Sequence, residues 1–178
     1  HYSPAVDAVA GWGLGGPSRG TMVRVQTLAI GPYEIENVVT DLSRQEAGAF
    51  ADTTLAGNIG GGVLKHFTVT FNYGDQTMYL EPNANFAAPD PYDRAGFWFN
   101  RDGNALAVRD VTAGSPAAEA GLQAGDRIVE IDGATTDGID MVALRQRFLN
   151  DAPGTVVRLT IAREGKSLTV DITLRDQI

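Results

Sequence analysis

Apolar residues recur along most of this chain with a period of two, the spacing of strands half-buried on one face. Val6 to Ala10 predicts one strand, and Met22 to Ile30, carrying Val23, Val25, Leu28 and Ile30, its partner in a broad hairpin. The stretch between them, Gly11-Trp12-Gly13-Leu14-Gly15-Gly16-Pro17, reads as a mobile hairpin tip. A phosphate cradle would need a helix directly after the glycines, and a strand follows instead. Tyr33, Ile35, Val38 and Val39 predict a third strand, and Leu42 to Phe50 a short helix or loop capped by Asp41 or Ser43.

Gly60-Gly61-Gly62 leads into a short helix with Val63, Leu64 and Phe67. Phe67, Val69 and Phe71 then alternate as a strand, Asn72 to Gln76 turns, and Met78 and Leu80 return. Asn83 to Tyr92, with its two prolines and small residues, is read as a linker at a domain boundary, the site a broad protease nicks first. Beyond it the pattern predicts a strand over Phe97–Asn100, a turn over Arg101–Asn104 and a strand with Ala107, Val108 and Val111. Ser115 caps a one-turn helix that has Pro116 at its first position and Gly121 past its end. Gly125-Asp126 turns, Ile128 and Ile131 lie on a strand, and Asp132-Gly133 reverses the chain. Met141, Leu144, Arg145 and Phe148 have helical spacing within Asp137–Asn150, and two strands, Val156–Ile161 and Leu168–Leu174, close the chain.

Composition narrows the function. The 178 residues are 43% hydrophobic, ordinary for a soluble globular protein, with no apolar run near the length of a spanning helix. A formal net charge of −8 argues against nucleic acid and anionic membrane as partners. The absence of cysteine excludes a disulfide scaffold, a thiol nucleophile and a cysteine zinc site, and leaves the compartment, periplasmic or cytoplasmic, open. No His/Asp/Glu cluster has metal spacing, and no cofactor is expected. The start at His1 rather than Met suggests a processed product or a cut chain.

The run S-P-A-A-E-A-G-L-Q-A-G-D-R-I-V-E-I-D-G, Ser115 to Gly133, resembles bacterial PDZ domains. The resemblance covers residues 92–178 and implies two helices capping a small antiparallel β-barrel. It also implies a groove for a peptide C-terminus or extended segment, added as a strand. By that resemblance Arg94, Ala95, Gly96 and Phe97 form the carboxylate-binding loop, with Arg94 available to a carboxylate. Trp98 and Phe99 continue the groove strand, and the helix with Met141 and Arg145 forms the other wall. Ala95 is smaller than the residue usual there.

The stretch L-A-G-N-I-G-G-G-V-L-K-H-F-T-V-T-F-N-Y-G-D-Q-T-M-Y-L-E-P, Leu55 to Pro82, resembles the C-terminal part of retropepsin-like aspartic proteases. With it, Gly11, Trp12, Gly13, Leu14, Gly15 and Gly16 look like the flap hairpin. The resemblance spans residues 5–82 and implies a partial β-domain of a hydrolase acting on polypeptide substrates, with a homodimer in the intact protein. That family's catalytic aspartate precedes the flap in an Asp-Thr/Ser-Gly motif. Here the one look-alike, Asp52-Thr53-Thr54, lacks the glycine and follows the flap, so this chain is expected to lack catalytic residues and activity of its own.

Two alternatives stand beside this reading. One is a non-catalytic peptide-binding scaffold. The other is an inactive relative of PDZ-containing serine proteases, suggested by Gly57-Asn58-Ile59-Gly60-Gly61, where a nucleophilic serine would stand at Ile59. The expected fold is mainly β: a partial retropepsin-like domain over 1–82, a linker over 83–91 and a PDZ-like domain over 92–178.

Overall fold

The structure, a computed structural model, describes residues 2–13, 15–45, 51–52 and 54–178. The fold is mainly β, as the period-two pattern predicts. Its first sheet is a meander of β1 (Ala5–Gly13), β2 (Gly16–Ile30) and β3 (Tyr33–Ser43), all antiparallel. The hairpin extends further into the glycine-rich stretch than expected. Gly11 pairs with Ser18, Trp12 with Pro17 and Gly13 with Gly16, beyond a bulge between Val9 and Gly11. Backbone pairing needs no side chains, so glycines continue the ladder until Gly16, at φ +106°, closes a tight turn. Leu14 of the expected loop lies outside the described residues.

β3 also outlasts its prediction. Its ladder on β2 continues to the Gly20–Ser43 pair, so Leu42 and Ser43 are strand rather than helix or loop. The rest of that expected segment, 46–50, lies outside the described residues.

After the short helix α1 (Gly61–Leu64), strands β4 (Phe67–Asn72) and β5 (Thr77–Pro82) form a separate hairpin. A small core joins it to the first sheet: Ile35, Val38, Val63 and Phe67, flanked by Tyr33 and Phe86.

Residues 83–92 form neither helix nor strand, yet they are not a free linker. Phe86 inserts beside Tyr33 and Phe67, with ring centroids 5.9 and 5.5 Å away. The Asn85 carbonyl meets the buried His66 ring nitrogen Nδ1 at 2.7 Å. Asp90 accepts from the Val39 N–H at 3.0 Å and from Lys65 Nζ at 2.7 Å, and Arg24 donates to its carbonyl at 2.8 Å. The segment is a strap fastened to the first sheet.

The second region holds β6 (Phe97–Asp102), β7 (Ala105–Val111), α2 (Pro116–Glu119), β8 (Arg127–Ile131), β9 (Ala134–Thr135), α3 (Met141–Asn150), β10 (Val156–Arg163) and β11 (Lys166–Thr173). The strand order is β11-β10-β8-β7-β6, with β9 on β8, which leaves β6 at an edge. β6 runs through Asp102, so the turn predicted over 101–104 shrinks to Gly103-Asn104. Leu106, Ile128, Leu159, Ile161 and Ile172 are wholly buried, and Phe148 brings α3 onto them. Both helix starts in this region are capped by side chains. Ser115 Oγ accepts from the Ala118 N–H at 3.2 Å, and Asp140 Oδ1 from the Val142 and Ala143 N–H groups at 2.8 and 3.2 Å.

The Gly125-Asp126 turn is held by an ion pair. The Asp126 carboxylate, 1% exposed, takes two bonds from Arg163, at 2.6 and 2.7 Å, and a third from the Gln123 N–H. Burial pushes this carboxyl up, but the Arg163 and Gln123 hydrogen bonds and the arginine charge outweigh it and hold it below its usual range.

Candidate functional site

A strand at a sheet edge has unpaired N–H and C=O groups along one side, and β6 is such a strand. The loop before it turns at Gly96, with φ +79°. A Cβ there would lie 2.2 Å from Ser115 Cβ, so both the conformation and the packing require glycine. The loop is tied to the start of α2. Ser115 Oγ donates to the Gly96 carbonyl at 3.1 Å, and the Ala117 N–H donates to the Ala95 carbonyl at 2.9 Å.

The N–H groups of Ala95 and Gly96 converge on one anion. That anion is the chain's own. Asp93 Oδ1 accepts from Ala95 at 3.0 Å and also from Gly96. Asp93 was not among the predicted site residues; its signal is an acidic residue two positions before the Ala-Gly pair, the reach of a side chain to its own following backbone. Burial pushes its carboxyl up to about 6, against the pull of the Gly96 and Ala95 hydrogen bonds.

The remaining predicted residues divide. Arg94 turns away from the loop and is not available to a ligand carboxylate. Its Nε pairs with Asp176 at 2.6 Å and its Nη1 donates to the Leu149 carbonyl at 2.6 Å, joining the end of α3 to the C-terminal segment. Ala95 is fully buried, so only its backbone reaches the site. Phe97 and Phe99 belong to the core with Phe148, their rings 5.4 and 6.0 Å from its ring. Met141 is partly buried against the same core. Trp98, on the opposite face of the strand, and Arg145 do line the open side. The Arg145 guanidinium lies 5.4 Å from the Trp98 ring centroid and donates to the Phe99 carbonyl at 3.2 Å.

A cavity of about 250 Å³ lies between this edge and the β1–β2 hairpin. Val9 and Met22 line it from the hairpin, Trp98 and Phe99 from β6, and Arg145 and Leu149 from α3. Trp12 stacks on Trp98 with centroids 6.5 Å apart and planes 25° apart. Arg19 of β2 pairs with Asp110 of β7 beside them. The glycines of the hairpin, Gly11, Gly13, Gly15 and Gly16, have open space where a Cβ would stand, so it is Trp12 that brings this loop to the groove.

The look-alike motifs hold no catalytic arrangement among the described residues. Asp52 accepts from the Thr54 hydroxyl and N–H at 2.6 and 2.8 Å, bonds that hold its carboxyl below the usual range in an exposed turn. Ile59 is half exposed and has no nucleophilic atom. His66 is buried with a backbone carbonyl, not a carboxylate, on Nδ1. Among the described residues no three His, Cys, Asp or Glu side chains are grouped to hold a metal ion.

A family model for the PDZ domain matches residues 93–174 and leaves residues 1–92 outside it. The chain is 40% identical over 67 residues to the periplasmic pH-dependent serine endoprotease DegQ of Escherichia coli, covering 38% of this chain and 14% of that protein. It is 43% identical over 67 residues to the regulator of sigma-E protease RseP of Salmonella typhimurium, covering 37% and 14%. The chain therefore spans about a seventh of the length of these curated relatives. Among solved structures, the PDZ domain of a carboxy-terminal protease from Vibrio cholerae in complex with peptide is 24% identical. That match covers 46% of this chain and 91% of that one, with a TM-score of 0.39.

Proposed function

Residues 93–174 are a PDZ domain, and from that premise we propose that this chain is the peptide-binding part of a larger peptidase. The PDZ groove takes a polypeptide as an added strand on β6, against α3, and so recruits or gates substrate. Residues 5–82 belong to a retropepsin-like aspartic peptidase domain whose Asp-Thr/Ser-Gly half lies outside this chain. The observation that carries the reading is the open edge of β6 facing α3, with the tip of the β1–β2 hairpin stacked on its rim through Trp12 and Trp98. A ligand in that groove touches both regions at once, which a passive tether would not require.

The exposed apolar side chains of the first region support its incompleteness. Phe71 and Met78 face each other across the β4–β5 ladder yet are 57% and 44% exposed, where a two-stranded hairpin normally needs a covered face. A second reading, an inactive relative of PDZ-containing serine proteases, is favoured by the likeness to the serine endoprotease DegQ, and Ile59 and His66, which offer neither nucleophile nor base, agree with its being inactive.

The test has two parts. Calorimetric titration of extended peptides into this chain should show weak binding, with micromolar affinity. The chain alone should leave casein uncut at acid pH. The same chain preceded by its upstream coding sequence should cut it, in a manner blocked by a transition-state mimic of aspartic proteases. Peptide binding with no cleavage by the longer protein selects the scaffold alternative instead.

A further inference from the structure

We propose that the carboxylate loop is filled by Asp93 as a built-in anion, so that the groove selects internal extended segments over free C-termini. This rests on the peptide-groove reading above and narrows its substrate class.

Two contacts carry the inference, one at each end of the site. At the loop, Asp93 Oδ1 takes the N–H groups of both Ala95 and Gly96, the donors a terminal carboxylate would need. An arriving carboxylate must displace a like charge held on the same backbone. Along the edge, the Arg145 guanidinium already donates to the Phe99 carbonyl. An added strand releases Arg145 by supplying its own backbone N–H to that oxygen, and an internal segment supplies N–H groups as well as a C-terminus does.

The charges around the loop do not favour a second anion. Tyr92 adjoins Asp93, and Asp41 of β3 acts on Tyr92 from the first sheet. Asp110 of β7 lines the same cavity. Each arginine nearby has an acceptor already: Arg19 on Asp110, Arg94 on Asp176 and the Leu149 carbonyl, and Arg145 on Phe99. Gln177, from the C-terminal segment, is neutral and donates to the Asp93 carbonyl at 2.6 Å, fixing the residue from behind. Burial raises the Asp93 carboxyl, and this gives the selection a pH dependence, since protonation removes the like charge.

The experiment titrates one extended decapeptide, as the free acid and as the C-terminal amide, into the wild-type chain and Asp93→Asn at pH 7.5 and 5.0. The asparagine keeps an oxygen for the two N–H groups without the charge, and thermal melts check folding. The inference expects wild type at pH 7.5 to bind the amide at least as tightly as the acid. It expects the acid to gain about tenfold in Asp93→Asn, roughly one removed like-charge contact, and to gain in wild type at pH 5.0. In the free protein the Ala95 and Gly96 amide resonances should titrate together near pH 6, and not in Asp93→Asn. Wild type preferring the acid tenfold at pH 7.5, or those resonances not titrating, overturns the inference and leaves the peptide-groove reading standing. Binding of neither peptide form by either protein overturns both.

Discussion

Trp12 and Trp98, the only two tryptophans of the chain, stack on each other across the gap between the first sheet and the edge strand β6. Trp98 lies on the face of β6 that the core does not use, so its ring stays available to the hairpin. Trp12 is 41% exposed, and its contact with Trp98 is an aromatic link between the two regions.

The stack is worth measuring as a coupling. In a double-mutant cycle on thermal stability, Trp12→Ala and Trp98→Ala should be non-additive by about 1 kcal/mol, the usual worth of an aromatic pair beyond its buried area. Additive effects would mean that the hairpin does not rest on the groove in solution.

Gly96→Ala should be strongly destabilising. The left-handed φ and the approach of Ser115 Cβ act together, and the alanine must also break the Ser115 bond to the Gly96 carbonyl. We expect a loss of at least about 2 kcal/mol in urea unfolding. Gly103→Ala is the control: φ is similar but a Cβ meets nothing within 4 Å, so its cost should be clearly smaller.

Two carboxylates should impose opposite pH dependences. Asp93 has a folded pKa of about 6, above its unfolded value near 4, so the folded state holds the extra proton between them. Its contribution to stability is greatest at low pH and falls as pH rises from about 4 through about 6. Asp93→Asn should therefore raise the melting temperature at pH 7.5 by about 2–4 °C and leave it unchanged near pH 3.5. Asp126 is depressed, so its contribution is present above the unfolded pKa near 4 and disappears as pH falls below it. Asp126→Asn should lower the melting temperature by about 5 °C at pH 7, with the gap closing in acid. A gap that stays constant with pH would assign the loss to packing instead.

Chymotrypsin should cut first at the β4–β5 turn, where Tyr73 is 88% exposed, and only later in the 83–92 strap. The strap's phenylalanine is packed and its backbone is hydrogen-bonded, which slows access. Mass mapping of the first fragments checks this, and an initial cut at Phe86 would restore the strap to a free linker.

The part of the fold most legible in the sequence is the run from Ser115 to Gly133, because each residue there solves a local backbone problem. Ser115 caps, Gly121 and Gly125 take positive φ, and Asp132 and Gly133 both turn left-handed. What was not legible depends on partners far along the chain. Arg94 looks free in sequence because Asp176 and the Leu149 carbonyl are more than 50 residues away. The 83–92 segment reads as linker from its prolines, although Phe86 carried a signal: an aromatic residue in such a stretch seeks a core. Asp93 was overlooked for a different reason. The loop pattern identifies the donors, and the anion they hold is marked only by the local spacing of an acidic residue two positions before the Ala-Gly pair.

The central claim is that the edge of β6 receives a polypeptide strand. The most direct measurement is amide chemical-shift mapping on the labelled chain as an extended, C-terminally amidated peptide is titrated. The account predicts shifts concentrated in Gly96–Asn100 and Met141–Arg145, with the Trp12 and Trp98 indole resonances following at the same affinity. Saturable shifts confined to the β4–β5 hairpin, with β6 and α3 unmoved, would contradict it.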